Sequence, residues 1–215
     1  MSDARFTRLV ELAARTAPTD RARLALELCD LLTDWPDKYP HEMREPFETL
    51  LEKAAREVDG ATRRLLAERI AGSAGEAPVE LLNELFFDAP AELKGAIVQR
   101  NAGNRGDGIA ADETLLVQTA RSQRGEEFAA AFASMLGIEP VTAKRILQEP
   151  SGDALAVACK GAHLTRAAFS TLALLFAPSP NDNDRRLGAY DCVPQDGAEG
   201  MIHYWRNSNG DSKAA

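Results

Sequence analysis

The chain has 215 residues, enough for one good-sized core or a short array of repeats. With 45% hydrophobic and 27% charged residues it does not have the composition of a disordered chain. Its 33 acidic against 25 basic residues give a net charge of -8, which argues against a general attraction to nucleic acid or anionic membrane.

Helical periodicity runs from one end to the other. The reading places helices at 3–16, 20–34, 42–58, 61–72, 78–87, 91–101, 112–122, 126–136, 140–148, 152–161, 165–177, 183–190 and 196–207. In the third, Phe47, Leu50, Leu51, Ala54 and Val58 fall on one face. The eighth repeats that stripe with Phe128, Ala131, Phe132, Met135 and Leu136. Leu155, Ala158, Cys159 and Ala162 carry it in the tenth, and Phe169, Leu172, Ala173 and Phe176 in the eleventh. Ala198, Met201, Ile202 and Trp205 carry it in the last. Ten of the eleven prolines punctuate these segments, and Pro46 fits the first turns of a helix starting near Glu42. Thr19-Asp20, Asp112 and Ser151 supply start signals. No alternating β-branched run bounded by hairpin turns occurs, so no sheet is expected.

A faint repeat lies within the pattern. Leu65-Leu66-Ala67-Glu68-Arg69-Ile70-Ala71-Gly72 matches Ala96-Ile97-Val98-Gln99-Arg100-Asn101-Ala102-Gly103 in arginine, alanine and glycine, at a spacing of 31. A helix pair recurring roughly every 30 residues is the signature of an α-solenoid. The tetratricopeptide residue pattern is absent, so the expected fold is all-α: a HEAT-like solenoid of short antiparallel helix pairs. One continuous domain, 1–206, is expected. It comprises N-terminal helices to residue 58, repeats over 59–178 and capping helices over 183–206, with a polar, disordered tail at 207–215.

Three stretches carry a family likeness. Gly137-Ile138-Glu139-Pro140-Val141-Thr142-Ala143-Lys144-Arg145-Ile146-Leu147 leads into Pro150-Ser151-Gly152-Asp153-Ala154-Leu155-Ala156-Val157-Ala158-Cys159-Lys160. Leu164-Thr165-Arg166-Ala167-Ala168-Phe169 and a terminal Tyr204-Trp205-Arg206 follow. In this order they resemble a bacterial helical-repeat family of unknown function, number 2336 in the series of uncharacterised domains. The likeness covers most of the chain and is strongest over residues 60–206. It implies a HEAT-like fold in an intracellular bacterial protein and assigns no catalytic residue.

The candidate chemistry is sparse. Arg69 and Arg100 share a repeat position and, with Asn101 and Arg145, form the candidate contacts for a partner or an anion. The plainer reading of the two helix-end arginines is that they offset the helix dipole. Cys159 and His163 are four apart, but no second pair follows at a zinc spacing, so a core thiol and a capping imidazole are expected instead. The loop Gly103-Asn104-Arg105-Gly106-Asp107-Gly108 lacks the strand and Lys-Ser/Thr of a phosphate loop and reads as a connection. The basic pairs Arg63-Arg64, Lys144-Arg145 and Arg185-Arg186 lie among acids, without interleaved aromatics, and read as solvated faces. Tyr204 and Trp205 read as the seal of the last helix. Serine-nucleophile, zinc-protease and dinucleotide motifs are absent.

Cys29, Cys159 and Cys192 are far apart and form no CxxC, as in a reducing compartment. No basic segment followed by an apolar run opens the sequence, and the apolar stretch at 167–177 falls short of the about 20 residues needed to span a bilayer. The expectation is a cytoplasmic, non-enzymatic scaffold or regulatory adaptor that binds another protein, a second copy of the chain included, with no cofactor, metal or membrane contact. The alternatives are a receptor for a small anion or nucleotide gripped by the arginines and, last, a nucleic-acid-binding or enzymatic repeat protein.

Overall fold

The apolar stripes of the sequence become α-helices in the computed structural model, which describes residues 2–36, 39–71, 77–104, 111–122, 125–177 and 183–208. Among these residues there are thirteen α-helices, one 3-10 turn at His41–Met43 and no strand. The first five are α1 Ser2–Ala13, α2 Pro18–Thr33, α3 Glu45–Glu57, α4 Gly60–Ala71 and α5 Val79–Leu85. Then come α6 Ala91–Arg100, α7 Glu113–Ser122, α8 Glu126–Leu136 and α9 Pro140–Gln148. The last four are α10 Asp153–Gly161, α11 Arg166–Leu175, α12 Asn183–Cys192 and α13 Gln195–Asn207. No helix among the described residues is long and apolar enough to cross a membrane.

Helix ends follow local chemistry. Pro18, Pro46 and Pro140 each occupy the first turn of a helix, where a missing N–H costs little. Asp112 accepts from the Leu115 N–H at 3.0 Å and Thr165 from the Ala168 N–H at 3.3 Å, so both cap the helix that follows. Two starts differ from the sequence reading by more than one residue. The third helix begins at Glu45 rather than near Glu42, because residues 41–43 take a tighter 3-10 turn. The second begins at Pro18, with Ala17 as its cap residue and Asp20 already in the first turn. Residues 105–110, which include Arg-Gly-Asp, and residues 209–215 of the tail lie outside the described residues.

The chain folds as two compact units, Met1–Leu93 and Lys94–Ala215. In the first, α2 packs on α1, α3 and α4, while α5 packs on α3 and α4. α2 buries Leu24, Ala25, Leu28, Cys29, Leu31 and Leu32 and leaves its other side wet, as an amphipathic stripe requires. Burial raises the Cys29 thiol pKa to about 11, with Asp30 adding to the effect, so it is an inert thiol. Arg63 clamps this unit: Nε donates to Asp88 at 2.7 Å, and Nη1 to the Ala55 carbonyl at 3.0 Å and Glu84 at 3.1 Å.

In the second unit α10 is the centre. Residues Ala154 to Cys159 have no exposed surface, and α9, α11, α12 and α13 surround them. A helix that is apolar all round has no face to give to water. α13 makes the most extensive contact with it. The approach requires glycine: a Cβ on Gly161 would sit 2.5 Å from the Ala198 carbonyl oxygen. Gly197 and Gly200 are as tightly met by the backbone carbonyls of Val98 and Asn101. Trp205 is buried on α13, as its place in the stripe predicts.

Candidate functional site

Arg69 and Arg100 both stand in the last turn of their helices, α4 and α6. Arg69 gives Nη1 to both oxygens of Asp30, at 2.5 and 2.6 Å, within the first unit. Arg100 and Arg145 are exposed on α6 and α9 of the second. Asn101 differs from the three: it has no exposed surface. Its Nδ2 donates to the Ile97 carbonyl at 2.9 Å and reaches Met201 Sδ at 3.2 Å, so it seats α13 and offers nothing to a partner.

The basic pairs are likewise divided. Arg63 and Arg186 point inward, against the reading of both as solvated, whereas Arg64 and Arg185 are exposed. Cys159 is fully buried, and burial pushes its thiol pKa far up. His163 ends α10 at φ 58, with its N–H on the Lys160 carbonyl at 3.0 Å and the next N–H, of Leu164, on Cys159 at 2.9 Å. That is a helix-terminating motif in which glycine is usual, as Gly137 is after α8. The His163 ring meets Glu199 at 3.4 Å and Gln195 at 3.4 Å. Among the described residues no group of three or more His, Cys, Asp or Glu side chains is arranged to hold a metal ion.

One concave feature of the second unit combines an apolar floor with charged groups at its edge. It is a groove of about 340 Å³ between the start of α8 and the end of α9, closed below by Phe176. Ala129, Leu147 and Phe176 make the floor, and Phe176 stacks on Phe128 with ring centroids 4.6 Å apart. The spacing of Lys144 and Gln148 puts both on the same face of α9 as Leu147. Glu126 on α8 forms an ion pair with Lys144 across the groove. Sequence reading misses this feature, because its walls come from two helices and from the residue that ends a third.

The α9 wall is anchored from behind. Glu149, one residue past α9, accepts from Lys94 Nζ at 2.5 Å, and both side chains are 6% exposed. The same carboxylate accepts from Ser151 Oγ at 2.6 Å and Ser151 N–H at 3.1 Å. Burial alone would raise its pKa, but Lys94 and then the Ser151 bonds outweigh that and hold it below the ordinary glutamate value. Arg186 Nη1 donates to the carbonyls of Glu149 at 2.9 Å and Pro150 at 2.8 Å. Gly152 then turns into α10 at φ +80, a conformation that costs glycine nothing. The corner between α9 and α10 is thus fixed by α6 and α12 together.

This corner lies in the stretch that carried the family likeness. The pattern of a family described as "Uncharacterised protein conserved in bacteria (DUF2336)" matches residues 2–192. The chain belongs to that family. The match takes in all of α1 to α12, so it extends over the N-terminal helices that precede residue 60. In this DUF2336 chain the groove and its ionic anchor both fall inside the matched span, and α13 falls beyond it. No curated protein and no solved structure matches the chain.

What the arrangement offers chemically is a preformed apolar seat with charged groups at its edge. The cluster behind it is saturated: Glu149 faces Lys94 and Ser151, and Ser151 Oγ also meets Asp153 at 2.5 Å. These groups brace a wall.

Proposed function

We propose that this chain is a protein-interaction module, a scaffold or regulatory adaptor rather than an enzyme, working in the bacterial cytoplasm. The observation that carries this reading is the groove between α8 and α9. Its floor is the half-buried Phe176 beside the nearly covered Leu147 and Ala129, set between charged groups, a form that can receive an apolar anchor of a partner helix. A wall braced by a buried ion pair is preorganised, which lowers the ordering cost of association.

The HEAT-like reading belongs to the same proposal. In the first unit each of α2 to α4 packs on the next helix or the next but one, the neighbour pattern of stacked helix pairs. The encircled α10 gives the second unit a more globular centre on which binding walls are mounted.

The test is co-purification from native extract with three forms of the full chain: wild type, Gln148→Trp and Arg64→Glu. Gln148 is exposed at the groove edge, so the indole obstructs the groove without entering the core. Arg64 is exposed on α4 and serves as the control. A stoichiometric protein retained by wild type and Arg64→Glu and lost by Gln148→Trp is the expected result. A partner indifferent to Gln148→Trp overturns the reading.

A further inference from the structure

The charges around the groove narrow the class of its occupant. Lys144 is the cation that lines it, and its partner is Glu126, whose side chain is 80% exposed. An ion pair with so solvated an acid contributes little and is exchanged at little cost. Arg145 follows on the exposed side of α9. The start of α8, at Gly125 and Glu126, also borders the groove and turns the positive end of the helix dipole toward it. Glu127, the other acid in that first turn, is exposed and does not line the groove.

We propose that the groove binds an acidic amphipathic helix of a partner protein. An apolar side chain of that helix seats on Leu147 and Phe176, and a carboxylate one turn away takes Lys144 from Glu126. The inference rests on the groove reading above and adds the chemistry of the partner. A carboxylate that arrives with an apolar anchor displaces water from Lys144, so the new pair is stronger than the solvated one it replaces. Glu126 then acts as a built-in competitor, covering the lysine until the partner arrives.

The test is fluorescence anisotropy of the full chain with labelled helical peptides that share one apolar stripe and carry Glu, Gln or Lys on the polar face. The Glu peptide is expected to bind best. Lys144→Glu should weaken it roughly tenfold, the scale of one charged hydrogen bond. Glu126→Gln should strengthen it by about threefold, because it removes the competitor. That gain separates the proposal from a merely apolar groove, which Glu126→Gln would not affect.

Equal or tighter binding of the Lys peptide, no binding of any peptide, or no gain from Glu126→Gln overturns the acidic-helix proposal. So does a concentration-dependent dimer, by sedimentation, that Gln148→Trp abolishes, since the occupant is then a second copy of the chain. In each of these cases the groove reading stands if the co-purified protein still depends on Gln148. It falls on its own if Gln148→Trp leaves that protein bound.

Discussion

Each unit holds a guanidinium among its helices, and the two are used differently. Arg63, with its side chain 11% exposed, meets the carboxylates of Glu84 and Asp88 and ties α3, α4 and the end of α5 together at the edge of the first unit. Arg186, 1% exposed, gives Nη1 to two backbone carbonyls at the corner between α9 and α10. The central helices differ in the same sense. α2 has an inner stripe and a wet side that carries Arg23, whereas α10 has no wet side between Ala154 and Cys159. In the first unit even the buried Arg44 is met by a carboxylate, that of Glu48. In the second, Arg186 is taken up by backbone carbonyls and Lys94 by Glu149, all of them inside.

The two central helices should respond unequally to a change of charge, one added inside α10 and one removed from the wet side of α2. Ala156→Lys in α10 has no water and no partner to meet and should cost about 3–5 kcal/mol, the scale of an uncompensated buried charge. Arg23→Ala on the wet side of α2 should cost under about 0.5 kcal/mol. Urea unfolding of the two variants measures both, and similar losses would erase the distinction between the helices.

Lys94→Met leaves Glu149 buried without its cation and should also lose about 3 kcal/mol or more. The double variant Lys94→Met, Glu149→Met should recover much of that, since apolar pairs replace buried ion pairs at little cost. A double variant as unstable as the single one would mean that Glu149 acts mainly through Ser151.

Arg63→Lys keeps the charge of the peripheral clamp but loses its fork and should cost about 2 kcal/mol. Acid probes the interior pair from another side. The folded Glu149 pKa lies below its ordinary value of 4.5, so its contribution is complete above that pH. It is lost as pH falls from there through the lower folded value. Acid titration by circular dichroism should therefore show wild type losing stability more steeply below pH 4.5 than the double variant does. Arg69→Ala should cost little as well: its pair with Asp30 is exposed on both sides and should be worth under about 1 kcal/mol, read by the same urea unfolding.

The helices were legible because their apolar spacing is local. Ala198, Met201, Ile202 and Trp205 form one stripe in the sequence and are all buried in α13. The inward charges also left a signal, one that only the fold makes plain. Lys94 and Asn101 flank Ile97 and Val98 at helical spacing, so the stripe on α6 runs polar, apolar, apolar, polar, and all four are buried. Arg186 precedes Ala189 on α12 and Val193 just past its end in the same way. A charge standing in an apolar stripe marks a buried partner, but its identity is set by distant segments. Glu149 lies 55 residues from Lys94 and 37 from Arg186. The groove was not legible for the same reason: Ala129 stands on α8, Leu147 on α9 and Phe176 just past α11, and no spacing within one helix announces their meeting.

In-cell photo-cross-linking compares the groove with an outer surface most directly. A photoreactive residue at position 148, at the edge of the groove, is set against one at position 64, on the outer side of α4. The account predicts one discrete protein adduct from position 148 and none from position 64. The same adduct from both positions, or no protein adduct from position 148, would contradict it.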